Sequence, residues 1–135
     1  RILNREFPMP QRRLDTWFVY RKLNIPAMCE AAEQFEGTHD FKSFCSVNTA
    51  VEDTTRTIYS CEVEKDGNDI ITIRVTGNGF LYNMVRIIAG TLIRVGGGEM
   101  LPDEMPQILG RKDRAAAGPT APAHGLTMMG IEYGE

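Results

Sequence analysis

The residues able to do chemistry sit in a few short places. Asn83, Arg86, Gly90 and Arg94 recur at i, i+3, i+7 and i+11 within an apolar stretch, residues 78–98. At about 100° per residue they form one narrow polar stripe on a helix. Two readings of that stripe stand. It is the solvated edge of a core helix, or Arg86 points across a cleft at an acidic partner. Gly90 costs a helix interior roughly 1 kcal/mol relative to Ala, so its presence implies close approach of another segment. His39-Asp40 has the residue types of general-base chemistry. Its nearby hydroxyl, Ser43, lacks a nucleophile-elbow glycine pattern, and Phe41 and Phe44 give the segment a packing role instead. Cys29, Cys45 and Cys61 are odd in number and show no C-x-x-C spacing. That argues against a disulfide framework or a zinc site and for reduced, cytosolic thiols. Gly77-Asn78-Gly79 lacks the further glycine of a dinucleotide loop, since position 82 is Tyr82.

These residues need elements to hold them. In 78–98, Phe80, Met84, Ile87, Ile88, Thr91, Leu92 and Val95 follow helical spacing, and Leu81, Val85, Ala89 and Ile93 widen the apolar face. The spacing predicts a helix buried on most sides, capped by Asn78 and ended by Gly96-Gly97-Gly98. A shorter helix is predicted over about 25–36, capped by Asn24, with Pro26 in its first turn, Ile25, Met28, Cys29, Ala32 and Phe35 on one face, and Gly37 as its stop. Residues 39–44 read as a tight turn or short helix.

Residues 55–65 alternate as a strand, with Thr57, Tyr59, Cys61 and Val63 on one face and Ile58 breaking the pattern. Asp66-Gly67-Asn68-Asp69 reads as a hairpin turn, and 70–76 as the return strand with Ile71, Ile73 and Val75 inward. Pro102 opens a further short helix carrying Met105, Ile108 and Leu109. An Ala-, Gly- and Pro-rich loop over 115–125 precedes a last strand over 126–133, with Met129, Ile131 and Tyr133 on one face. The order β-α-β-β-α-α-β implies an α+β fold, a two-layer sandwich of mainly antiparallel sheet with helices on one face. Residues 1–23 read as a strand end and linker entering from an N-terminal half, and 24–135 as the α+β domain.

The chain's 135 residues, 42% apolar and 24% charged, suit one ordinary globular domain. Its net charge of −3 is the wrong sign for a stand-alone nucleic-acid binder. Basic residues are confined to short clusters, Arg12-Arg13, Arg21-Lys22 and Arg111-Lys112-Arg114. The first two flank Trp17, Phe18 and Tyr20, which are read as packing rather than stacking on bases. Arg1 opens the chain without a methionine or an apolar leader, as in a fragment. The most apolar segment is interrupted by Asn83, Arg86 and Arg94, so no membrane span is expected.

Several motifs occur in a characteristic order: Gly37-Thr38-His39-Asp40-Phe41-x-x-Phe44, Phe80-Leu81-Tyr82-Asn83-Met84-Val85-Arg86 with Ile88 and Gly90-Thr91-Leu92, Arg111-x-Asp113-Arg114, and Ala117-Gly118-x-Thr120-Ala121-Pro122-x-x-Gly125-Leu126. Together they resemble the C-terminal half of the tRNA pseudouridine synthase A family, and the resemblance covers nearly the whole chain. It implies a cytoplasmic homodimeric isomerase that converts uridine to pseudouridine in the anticodon arm of tRNA without metal or organic cofactor. An aspartate in an Arg-Thr-Asp motif of the N-terminal half would be the nucleophile, and that motif is absent from these 135 residues. By the same resemblance Arg86 pairs with that aspartate and Leu126 lines the uracil pocket. Thr127, where an aromatic is common, and Asn83, where histidine is frequent, depart from the pattern. The other reading is a non-catalytic α+β RNA-binding or assembly module.

With so few basic residues, the isolated chain is expected to bind tRNA weakly, with affinity falling steeply as salt rises. A titration at two salt concentrations checks this; tight, salt-insensitive binding would contradict it.

Overall fold

The computed structural model describes residues 1–4, 16–46 and 53–126. The expected linker with Arg12-Arg13, Thr127 and the strand expected after Leu126 lie outside these residues. Within them the fold is α+β. Strands β1 (Ile2–Asn4), β2 (Trp17–Val19), β3 (Gly37–Asp40), β4 (Thr55–Lys65) and β5 (Ile70–Gly77) form one sheet in the order β2-β1-β5-β4-β3. The β1–β2 pair is parallel and the other three pairs are antiparallel. Helices α1 (Ile25–Glu33), α2 (Met84–Gly96) and α3 (Met105–Arg111) complete the regular structure. Met28, Ala31 and Ala32 of α1, Ile87, Ile88 and Leu92 of α2, and Ile58, Cys61, Val63 and Ile71 of the sheet share one buried cluster. Glu62, Glu64 and Arg74 are exposed, and Arg74 lies between the two carboxylates.

The β4–β5 hairpin forms as its turn residues dictate. Asp66 Oδ1 accepts from Asn68 N at 2.8 Å and Ile70 N at 3.1 Å, and Asp69 takes a left-handed conformation at φ 63°. The break at Ile58 has a structural cause. Ile58 pairs with Gly77 and Ser60 with Thr76, so Tyr59 is an extra residue in a β-bulge. The bulge turns Ile58 into the core and leaves Tyr59 62% exposed, the reverse of the expected facing for Tyr59. Beyond it, Cys61 and Val63 point inward as the alternation requires. Glu36 Oε2 accepts from Cys61 N at 3.1 Å. Burial, then the charges of Glu36 and Glu62, push the Cys61 thiol up to about 12, so it is a packing group rather than a nucleophile.

Three other expectations are corrected. Trp17–Val19, read as linker, is a strand whose parallel pairing with β1 is secured by Asn4: its buried amide donates to Val19 O at 3.0 Å and Arg21 O at 2.7 Å. Residues 37–40, expected as the end of a helix followed by a turn, form β3, and only Lys42–Phe44 is a short 3₁₀ turn. The main helix begins at Met84 rather than beside Asn78. Asn78 instead extends the sheet, its N donating to Thr57 O at 3.0 Å and its Oδ1 accepting from Thr57 N at 2.9 Å. Asn83 at φ 61° cannot sit inside a right-handed helix, so it fixes the helix start. Phe80 and Tyr82, upstream of it, are exposed.

The α1 expectation holds at its start, where Asn24 Oδ1 accepts from Ala27 N at 3.1 Å. Asn24 N also donates to Gly96 O at 2.8 Å, joining the start of α1 to the end of α2. A Cβ on Gly96 would lie 2.7 Å from Met28 Sδ, so Met28 of α1 packs directly on the end of α2. Cys29, Cys45 and Cys61 are free thiols.

His39-Asp40 is structural. His39 Nε2 donates to Glu36 O at 2.8 Å, and its ring meets Phe41 edge-on at 5.7 Å. Asp40 accepts from Thr54 Oγ1 and Lys42 N and faces Lys112 Nζ at 3.8 Å. The Thr54 hydrogen bond, partly offset by burial and aided by Lys42 and Lys112, holds the Asp40 carboxyl below its ordinary value. A folded-state value below the unfolded one gives stability that is present above the unfolded value and lost as pH falls through the folded one. Asp40→Asn is therefore expected to destabilise the fold by about 1 kcal/mol at pH 7, with the difference shrinking as pH drops below about 4. Denaturant melts across that range test it; a pH-independent difference would contradict it.

Candidate active site

Helix α2 delivers Arg86 in its first turn, three residues after the left-handed Asn83. That turn holds no acidic residue, and a helix N-terminus is already electropositive. A guanidinium there is unfavourably placed unless an anion meets it. Arg86 is half-buried and held from two sides. Its Nε donates to Ala121 O at 2.7 Å, and its Nη1 donates to Asn83 Oδ1 at 2.9 Å. Both acceptors are neutral, and Nη2 has no acceptor among the described residues. No carboxylate among the described residues pairs with Arg86.

The segment after α3 builds the other wall. Ala121 N donates back to Arg86 O at 3.0 Å, so the two residues exchange a pair of bonds that includes the Arg86 side chain. Thr91 Oγ1 donates to Ile87 O at 2.8 Å and accepts from Gly118 N at 2.9 Å. Arg114 folds over the same turn, with Nη1 to Gly118 O at 2.7 Å and Nη2 to Thr120 Oγ1 at 3.1 Å. Buried Ser43 anchors the start of the segment, accepting from Asp113 N at 2.9 Å and donating to Ile108 O at 2.8 Å. At the far end His124 Nε2 donates to Thr16 O, and the Arg1 amino group to Gly125 O at 2.7 Å. The loop thus spans from α2 to the β1–β2 side of the sheet.

Gly90 explains its own cost. A Cβ there would fall 1.7 Å from Pro119 O, and one on Gly118 would fall 2.7 Å from Thr91 Cα. The approaching segment that Gly90 implied is this loop. Of the stripe, Asn83 and Arg86 come together, Gly90 is buried under Pro119, and Arg94 pairs with Glu99 at 3.6 Å, which also pairs with Arg21. Leu126 lies five residues beyond Ala121 on the same loop, after the 3₁₀ turn Ala123–Gly125, and is 50% exposed. Sequence reasoning missed Thr91, Ser43 and Arg114 as the scaffold of the site. Arg114, a member of the short basic cluster Arg111-Lys112-Arg114, is spent on Gly118 and Thr120, while Arg111 is exposed. Among the described residues no His, Cys, Asp and Glu group could hold a metal ion, and no helix is long and apolar enough to cross a membrane.

An α+β domain that presents an arginine from a helix start beneath a glycine-packed loop is the class of protein these observations define. A family model described as tRNA pseudouridine synthase matches residues 31–134. Proteins named tRNA pseudouridine synthase A are 53% identical over 116 residues in Bacillus subtilis and 52% identical over 111 residues in Anoxybacillus flavithermus. These alignments cover 86% and 82% of this chain, and 46% and 45% of the relatives. A Thermoanaerobacter relative of that name is 48% identical over 132 residues, which is 98% of this chain and 54% of its own. The chain belongs to the tRNA pseudouridine synthase family. It spans about half the length of the curated relatives it matches.

Gly90→Ala gains about 1 kcal/mol of helix propensity but drives Cβ into the Pro119 backbone. The substitution is expected to destabilise by about 2 kcal/mol net, read as a lowered thermal midpoint. An unchanged midpoint would mean that the loop moves aside freely.

Proposed function

We propose that this chain is the C-terminal half of an enzyme that isomerises uridine to pseudouridine in the anticodon arm of tRNA. The reaction breaks the bond from the sugar to a base nitrogen, turns the base and forms a sugar–carbon bond. Substrate and product contain the same atoms, so the isomerisation needs no net oxidant or reductant. The nucleophilic aspartate comes from the N-terminal half, and Arg86 holds that carboxylate ionised and oriented. Leu126 contributes an apolar wall for the uracil. The complete enzyme works in the cytoplasm as a homodimer that holds tRNA across both subunits.

The observation that carries this reading is Arg86 itself. Its guanidinium is fixed by two neutral acceptors at an electropositive helix start, and it lacks a carboxylate among the described residues. A half-buried cation in that position gains most from an anion delivered by another segment. The aligned relatives, about twice this length, have room for such a segment.

In the full-length protein, Arg86→Ala is expected to lower kcat about 100-fold or more, because a charge-assisted contact is worth about 3 kcal/mol. Arg86→Lys keeps the charge without the two-pronged geometry and should fall between. Dissociation constants for tRNA should change little. Single-turnover kinetics with separate binding measurements and thermal melts test this; near-normal turnover by folded Arg86→Ala would defeat the proposal. The isolated chain should produce no pseudouridine from unmodified tRNA, and turnover by it alone would place the nucleophile within these 135 residues.

A further inference from the structure

Asn83 carries three features that the proposed reaction leaves unused. It adopts the left-handed conformation, φ 61° and ψ 10°, immediately before α2. It does not cap the helix with its side chain. That side chain instead spans two elements, its Oδ1 accepting from Arg86 Nη1 at 2.9 Å and its Nδ2 donating to Ser46 Oγ at 2.8 Å. The orientation of the amide is dictated, because a guanidinium only donates and the atom facing it must be oxygen. Backbone and side chain are therefore fixed together. Asparagine is among the few residues with a Cβ that accept the left-handed region readily. The segment beside it is also tied, since Ser46 N donates to Tyr82 O at 3.2 Å.

We propose that Asn83 is a positioning residue for Arg86: its neutral oxygen fixes one arm of the guanidinium and its lack of charge leaves that arm's charge available to an incoming carboxylate. This inference rests on the reading of Arg86 as partner of a carboxylate from the other half. Ala121 O holds Nε, and Asn83 Oδ1 holds Nη1, so rotation about the last side-chain bonds is blocked from both sides. A carboxylate at position 83 would satisfy Arg86 from within its own helix start and compete with the nucleophile. A side chain with no acceptor would leave the guanidinium charged but free to swing.

The test uses the full-length protein with Asn83→Asp, Asn83→Gly and Arg86→Ala, each checked by thermal melt. Asp matches Asn in shape and also tolerates the left-handed region, while Gly removes the acceptor without backbone strain. Asn83→Asp is expected to lower kcat by about 100-fold with tRNA affinity nearly unchanged. Neutralising Arg86 also removes its hold on the catalytic carboxylate, so the acid limb of the kcat–pH profile should move up by about one unit or more. Asn83→Gly should lose about tenfold in kcat with its acid limb close to the parent's, since the guanidinium charge persists. A merely structural Asn83 would lower stability without moving the acid limb in the Asp variant.

Wild-type kcat and profile in Asn83→Asp, alongside an inactive Arg86→Ala, would overturn this inference alone. Normal turnover in Arg86→Ala would overturn the reading beneath it and this inference with it. If Asn83→Asp fails to fold, Asn83→Gly decides, and an unchanged kcat there overturns the proposal.

Discussion

The site depends on the contact between Arg86 and Ala121. One residue on a helix and one on a loop, 35 positions apart, each donate to the other's carbonyl, and on one side the donor is the guanidinium. The loop cannot reach that register unless its backbone lies directly on α2. Gly90 and Gly118 permit this by removing Cβ atoms that would overlap Pro119 and Thr91. Thr91, Gly118 and Arg114 then satisfy the polar groups that such close packing buries, where an unpaired one would cost about 1–3 kcal/mol. Local rigidity and the placement of a charge are thus produced by the same few residues.

Supporting elements transmit that constraint outward. The start of α1 is bonded to the end of α2 through Asn24 and Gly96, and Gly96 also lets Met28 approach. Ser43, buried beside Phe41 and Phe44, fixes the start of the loop, and the N-terminal residues fix its end. Helix α2 packs against α1 and the Lys42–Phe44 turn, α1 in turn packs against β4, and all of them share one buried cluster with the sheet's inner residues. The electrostatic consequence is a cation placed where the helix N-terminus adds to its positive potential. The charge of the molecule as a whole, −3, says nothing of this local field.

Much of this was legible in the residues themselves. Helical spacing identified α2 and its apolar faces, Asp66-Gly67-Asn68-Asp69 identified the hairpin, and the cost of Gly90 implied a close neighbour. Ile58 signalled the bulge as a broken alternation, although the direction of Tyr59 required the pairing register. What stayed hidden depends on contacts between distant positions. Asn78 and Asn83 are both plausible helix starters by type, and only the bonds of Asn78 to Thr57 and the left-handed backbone of Asn83 separate them. The strand Trp17–Val19 is too short to show a period. The Thr91–Gly118 and Arg114–Thr120 bonds have no periodic signature, so residues that build the site read as a helix threonine and one member of a short basic cluster.

The central claim is that this half supplies a preformed socket for a carboxylate that arrives from outside it. A crystal structure of the full-length protein measures this directly, as the separation between the Arg86 guanidinium and the nearest carboxylate oxygen of the N-terminal half. The account predicts about 3 Å, a charge-assisted hydrogen bond, with the Ala121 and Asn83 contacts retained. An Arg86 that faces only solvent, or that has left Ala121 and Asn83 to reach another group, would contradict it.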